Sequence, residues 1–179
     1  MYIKTQRLEL KPILPDSLEV LTDLLTDDVV AKTYMVPDFS CREDARKLAR
    51  RLMDLSRQEE RRVAGIYQSE ALIGIMNQTD ATEERIELGY ALLPQYHNRG
   101  CGTEALRGAI AYCFGLGFRE VVTGAFEENI PSIRVMVKCG MQKTDLREEI
   151  AYRGRKHTCV YYSIKKEGAP CCIMQKTVL

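Results

Sequence analysis

The sequence predicts an α/β domain: one mixed sheet of about seven strands, flanked by about four helices. Three observations predict it. Apolar segments near 62–67, 71–79 and 85–93 are joined by the short polar turns QSE and DATEE, which favour antiparallel hairpins. The third of these segments then runs through a glycine-bearing turn into a helical stripe and on to REVVTGAF, a strand–helix–strand crossover that calls for parallel neighbours. The last segment, MQKTDLREEIAYRGRKHTCVYYSIKK, folds back as a hairpin around Arg153-Gly154.

In order along the chain, Ile3 to Ile13 alternates Leu8 and Leu10 with Arg7, Glu9 and Lys11, the pattern of one half-buried strand ended by Pro12 and Pro15. Asp16 is the expected N-cap of a helix carrying Leu18, Leu21, Leu24 and Leu25 on one stripe. DDVVAKTYMVPDF is irregular. Ser40 with Glu43 reads as a capping box opening a second helix through about Arg57, whose other face is charged. The EERR run, Glu59 to Arg62, reads as a solvated turn into the sheet. After the three strands, a helix from Thr103 to Leu116 buries Ala105, Leu106, Ala109, Ile110 and Cys113 and stops at Gly115 and Gly117. A fourth helix opens near Asn129-Ile-Pro131-Ser132 and ends at Gly140.

Composition narrows the function classes. With 179 residues, 45% of them hydrophobic, residues 1–166 are expected to form a single domain, with 167–179 a short tail. The 26 Lys and Arg against 25 Asp and Glu leave a net charge of +1, which is no electrostatic footprint for nucleic acid or an acidic membrane. No apolar run reaches the roughly 18 residues of a membrane span, and MYIKTQRLELKP lacks a signal-peptide core, so a cytoplasmic location is expected. Seven cysteines fall without metal-ligand spacing, so no metal site is expected and the thiols read as reduced. Cys113 and Cys139 read as buried hydrophobes; Cys171 and Cys172 lie in the tail.

The chemistry concentrates in HNRGCGTEAL, His97 to Leu106, directly after IELGYALLP. A glycine-bearing turn from strand to helix leaves backbone N–H groups converging on one spot, and the helix dipole adds partial positive charge there. Such a turn holds a phosphate. Gly100 and Gly102 let the backbone approach an anion closely and take positive φ. No P-loop lysine accompanies the turn, which argues against a nucleoside triphosphate.

The order of these elements, with LELKPI, IELGYALLPQY, GCGTEAL and ENIPSIRVMVKCGM, resembles the GNAT family of acetyl-CoA-dependent N-acetyltransferases over about Ile3 to Lys165. Within it, these pieces look most like the branch that acetylates N-terminal amines of ribosomal proteins. The resemblance implies a GNAT-type acyl-CoA N-acyltransferase fold, acetyl-CoA as co-substrate, no metal, and direct transfer to a primary amine in a ternary complex. The leading acceptor is a protein N-terminal α-amine. A small-molecule amine such as an antibiotic or polyamine is the alternative, and a non-catalytic acyl-CoA-binding module is a third reading. The chain is expected to be a monomer or homodimer.

The resemblance also assigns residues. Main-chain N–H groups of His97, Asn98, Arg99, Gly100, Cys101, Gly102 and Thr103 match the pyrophosphate cradle. His97 stands where the family has Gln or Arg, and Asn98 where a first glycine is common; Asn tolerates the left-handed conformation such a position needs. His97 either donates a ring N–H to phosphate or is merely exposed, and Arg99 either pairs with phosphate or is solvated. Tyr90, Ala91, Leu92 and Leu93 match the strand that pairs with the pantetheine arm, with Gly89 as a bulge beside it. Asn129 contacts the pantetheine, caps its helix, or does both.

Transfer needs a neutral amine. Deprotonating a lysine-like amine at pH 7 costs about 4–5 kcal/mol, an α-amine only about 1–1.5 kcal/mol, so a modest base suffices for N-termini. Glu87 matches a glutamate that draws the proton through water, worth roughly 10²–10⁴-fold; its other reading is a strand residue paired with Arg85. The thiolate also needs a donor. Many family members use a tyrosine where this chain has Met136, which has no proton to give, and in the ribosomal-protein branch a serine matching Ser132 takes that role. Ser132 alternatively caps its own helix. Tyr34, Tyr90 and Tyr152 line the acceptor pocket or belong to the core.

Overall fold

The alternating segments resolve, in a computed structural model describing residues 1–167, into one sheet of eight strands. In chain order these are β1 (Ile3–Lys4), β2 (Leu8–Lys11), β3 (Val63–Gln68), β4 (Ala71–Ala81), β5 (Arg85–Leu92), β6 (Glu120–Phe126), β7 (Gln142–Tyr152) and β8 (Arg155–Lys165). Their order across the sheet is β1-β2-β3-β4-β5-β6-β8-β7. Only β5 and β6 are parallel, as a crossover helix demands. The helices are α1 (Leu18–Thr26), α2 (Asp28–Ala31), α3 (Arg42–Ser56), α4 (Cys101–Gly115) and α5 (Ile130–Lys138).

Both faces of the sheet are covered. Ala105, Leu106, Ala109 and Cys113 of α4 pack on Leu8, Ile66, Ile86 and Val121. Leu21 and Leu24 of α1 and Ala49 and Met53 of α3 pack on Ile13, Tyr67 and Ile75 on the opposite face. A smaller cluster of Val122, Phe126, Cys159 and Tyr161 extends the sheet's core beyond β5. The β7–β8 hairpin turns at Arg153 (φ 48°) and Gly154 (φ 72°), two positive angles that match the right-handed strand twist.

Several local expectations are corrected. The first strand is a small hairpin, which raises the strand count to eight, because Thr5 turns the chain: its N–H donates to the Leu8 carbonyl at 2.9 Å. Asp16 does not cap α1. A 3-10 turn, Pro15–Ser17, comes first, and Ser17 Oγ is engaged with the Tyr67 hydroxyl at 3.0 Å. The Ser40 capping box does not form, since α3 starts behind Cys41 and Glu43 instead accepts from Arg50 at 2.9 Å. The helix expected from Thr103 starts at Cys101. Cys113 and Cys139 are buried as expected, and burial pushes both thiols up to about 11. Cys171, Cys172 and nearly all of the expected tail lie outside the described residues.

Candidate active site

β5 and β6 pair at Arg85–Glu120, Ile86–Val121 and Glu87–Val122, and there the pairing stops. Each strand is fully engaged on its other side, β5 by β4 as far as Leu92 and β6 by β8 as far as Phe126. The two therefore diverge like a V. The bulge that accompanies the divergence lies on β4, where the register slips between Gln78 and Asp80 opposite Leu88 and Glu87, and not at Gly89. Gly89 is regular and lies close under its neighbours: a Cβ there would stand 3.2 Å from Thr79 Cγ2 and 3.8 Å from the Tyr34 ring. Between the strands lies a cleft of about 350 Å³, walled by Tyr90, Ala91 and Leu92 on one side and Thr123, Gly124 and Ala125 on the other.

The glycine turn closes one end of this cleft. Asn98 (φ 57°) and Gly100 (φ 80°) both sit in the left-handed region, so Asn98 does keep the bend that a glycine would make. Gly102 is already inside α4, where a Cβ would meet nothing closer than 3.6 Å. The first bond of α4 runs from the Glu104 N–H to the Gly100 carbonyl at 3.0 Å, which leaves the N–H groups of Cys101, Gly102 and Thr103 ahead of the ladder, facing the turn. His97 lines the cleft with its Nε2 at 2.9 Å from the Leu92 carbonyl, an acceptor only, so that nitrogen carries the proton. Arg99 and Leu93 are not among the lining residues. The Arg99 guanidinium lies 5.9 Å from the Tyr96 ring centroid, and the Leu93 N–H donates to the Ile73 carbonyl at 2.9 Å.

An outside brace holds the turn. Arg7 donates from Nε to Glu104 at 2.7 Å and from a terminal nitrogen to the Arg99 carbonyl at 3.2 Å. Burial opposes ionisation of Glu104, but hydrogen bonds from the Thr5 hydroxyl and from the Arg7 amide and guanidinium outweigh it, and the carboxyl is held below its ordinary range.

At the α5 side of the cleft, Asn129 is the N-cap, its Oδ1 accepting from the Ser132 N–H at 3.2 Å. The Ser132 hydroxyl is therefore not the cap. It lies 3.0 Å from the Tyr90 hydroxyl, and burial pushes that phenol up to about 12. Met136 is fully buried in the core beneath. Glu87 stands apart from this group and is not among the lining residues. Its carboxylate accepts from Thr79 Oγ1 at 3.0 Å and from Arg85 at 3.4 Å, on the sheet face opposite Tyr90.

The far end is bounded by Val30, Thr33 and Tyr34. Tyr34 donates to Asn77 Oδ1 at 2.7 Å, and its hydroxyl is pushed up to about 12 by burial. Tyr152 does not line the cleft: it donates to the Ala31 carbonyl at 2.7 Å and so ties the β7–β8 hairpin to α2.

The acetyltransferase (GNAT) domain family matches residues 7–142, most of the chain. The chain belongs to the GNAT acetyltransferase family. A GNAT relative from Bacillus subtilis, the uncharacterized N-acetyltransferase YoaA, is 26% identical over 171 residues, covering 92% of this chain and 96% of the relative. A putative ribosomal-protein-serine acetyltransferase from Vibrio cholerae superposes with a TM-score of 0.76 at 23% identity, over 93% of this chain and 98% of that one. RimL, a ribosomal α-N-protein acetyltransferase in complex with coenzyme A, superposes at 0.80 with 16% identity, over 92% and 98%. The reaction class is thus acetyl-CoA-dependent N-acyl transfer.

For this GNAT chain, the lining positions that sequence reasoning missed include Val30 and Thr33, Thr123 to Ala125 on β6, and Arg134 and Lys138 on α5. Arg134 and Lys138 had a legible signal: they recur at i, i+4 on the same helix as Ser132. Val30 and Thr33 had none, because the segment expected to be irregular instead forms the short helix α2, which carries Val30 and is followed by Thr33.

Proposed function

We propose that this enzyme transfers the acetyl group of acetyl-CoA to the N-terminal α-amine of a protein, and that it does so in the cytoplasm. One observation carries the coenzyme part of the reading: a glycine turn with unengaged N–H groups stands at the mouth of a strand-shaped gap in the sheet. The residues fit the group. Gly100 takes a conformation costly to side chains, and the N–H groups of Cys101, Gly102 and Thr103 are the donors for pyrophosphate. Alternation along the two ladders turns the backbone groups of Tyr90 and Gly124 and the Leu92 N–H towards the cleft, where they are offered to the pantetheine amides as a partner strand would be. Bound there, acetyl-CoA supplies an activated acyl group.

Ser132 and Asn129 stand beside the thioester end, Ser132 to donate to the departing sulfur and Asn129 to fix the start of α5. Glu87, at the last paired position before the strands part, takes the amine proton through water. The acceptor part rests on two supports. Among the described residues, no Asp or Glu lines the cleft, which disfavours a polycation and suits an amine of modest pKa. The ribosomal-protein acetyltransferases among the solved structures of like fold point the same way.

Release of free thiol on mixing acetyl-CoA with N-terminal peptides, lysine side-chain analogues and polyamines tests the reading. Peptide α-amines are expected to give the fastest turnover; tight coenzyme binding with no acceptor-dependent thiol would overturn it. Glu87→Gln is expected to lower turnover by roughly 10²–10⁴-fold. Unchanged turnover removes Glu87 from the mechanism.

A further inference from the structure

The glycine that lets the turn bend also leaves it free to bend the wrong way. In a planar trans peptide the C=O and the N–H point in opposite directions, so the Arg99–Gly100 unit shows one to the cleft and the other to the outside. Glycine takes either sign of φ at little cost, so this unit can flip without strain at Gly100, and the flipped form would aim a carbonyl at a bound anion. Gly100 sits at φ 80° and lines the cleft, and its N–H donates to no group among the described residues. The Arg99 carbonyl behind it is taken by Arg7 Nη1 at 3.2 Å, and Arg7 is not a lining residue. Arg7 is itself fixed. Its Nε and its own amide each donate to Glu104 at 2.7 Å, and the Thr5 hydroxyl donates to the same carboxylate at 2.7 Å. One turn along α4, a Cβ at Gly108 would stand 2.9 Å from Thr5 Cγ2, so its absence seats the β1–β2 hairpin against the helix. At Gly100 a Cβ would stand 3.3 Å from the other terminal nitrogen of Arg7.

We propose that Arg7 is a positioning residue for the coenzyme: by pinning the Arg99 carbonyl outward, it aims the Gly100 N–H at the pyrophosphate, ahead of the N–H groups of Cys101, Gly102 and Thr103. The proposal rests on the coenzyme reading of the cleft. The guanidinium works as a fork, with one prong on a carboxylate of α4 and the other on the carbonyl that precedes the helix, so turn and helix share one anchor. A planar guanidinium meets both acceptors at once, whereas a lysine ammonium is a single point donor. The bond also strengthens what it aims. A carbonyl that accepts from a cation polarises its peptide, and the N–H on the far side becomes a better donor to an anion. The N-terminal hairpin, remote from the thioester end, thereby sets how tightly the phosphates are gripped.

The test compares two ligands that share the thioester and the pantetheine arm, acetyl-CoA and acetyl-pantetheine, of which only the first carries phosphates. Their Kd values are measured by calorimetry, the weaker ligand by competition, on the wild type, Arg7→Gln and Arg7→Lys with no acceptor present. Arg7→Gln is expected to weaken acetyl-CoA about tenfold, the scale of one hydrogen bond to a charged group, and to leave acetyl-pantetheine within about twofold. Arg7→Lys is expected to show the same split, because the fork is lost although the charge is kept. Equal weakening of both ligands would show a general loosening and overturn the proposal, as would undiminished acetyl-CoA binding by Arg7→Gln. A lysine variant that binds acetyl-CoA like the wild type overturns it too, since charge alone then accounts for the effect. A wild type that binds acetyl-CoA no tighter than acetyl-pantetheine overturns the pyrophosphate reading of the turn and the role of Arg7 together. The expected split in a protein that acetylates no N-terminal peptide upholds the role of Arg7 and overturns the proposed acceptor.

Discussion

Asn98 and Met136 depart from what the family usually places at their positions, and the two departures have different physical outcomes. Asn98 preserves backbone shape: at φ 57° it occupies a conformation that asparagine tolerates and β-branched residues do not. Asn98→Gly is expected to leave the KM for acetyl-CoA within about twofold. Asn98→Val is expected to raise it and to lower stability by about 1–2 kcal/mol, read by steady-state kinetics and denaturant unfolding. Met136 gives up a function and joins the core. Restoring the family's residue with Met136→Tyr is therefore expected to overpack a filled site, costing about 1–3 kcal/mol in thermal unfolding without a gain in turnover. The role that Met136 lacks was half legible in the sequence, which singled out Ser132. The Tyr90 hydroxyl beside it was not, because contact between positions 90 and 132 depends on how α5 crosses the end of β5, and no local spacing encodes that.

At the level of elements, strands with alternating burial and helices with apolar stripes were readable, and their starts were not. α1 and α3 each begin one residue later than caps at Asp16 and Ser40 would set, and Ser17 and Glu43 are engaged with Tyr67 and Arg50, partners that capping patterns ignore. The split of the first strand has a similar cause: Thr5 donates its hydroxyl to Glu104, a residue on α4, while its amide closes the turn. The β7–β8 hairpin was legible from Arg153-Gly154, yet its reach to α2 through Tyr152 was not. That contact joins the hairpin to the segment carrying Thr33 and Tyr34 at the cleft's far end. Tyr152→Phe is expected to cost about 0.5–1.5 kcal/mol in unfolding and to raise the KM for the acceptor more than that for acetyl-CoA. Equal changes in both would detach the hairpin from acceptor binding.

Across the whole molecule, charge is nearly balanced and the pairs at the surface are mostly exposed, but Glu104 is a keystone between the N-terminal hairpin and the glycine turn. Its folded-state pKa lies below the ordinary 4.5, so the stability it contributes is present above that value and is lost as pH falls through the lower folded value. Glu104→Gln is expected to flatten the acid side of the stability–pH curve, measured by urea unfolding between about pH 6 and 3. The divergence of β5 from β6 also has a mechanical meaning. It is a seam: on one side stand β1 to β5, on the other β6, β8 and β7, and the sheet is continuous across it at three pairs of residues. Elsewhere the halves are joined by the shared core under α4 and by side-chain reaches such as Tyr152 to Ala31, Tyr90 to Ser132 and Arg107 to the Lys138 carbonyl. Whatever fills the gap touches both halves at once, so the object that occupies the seam is also a rivet between them.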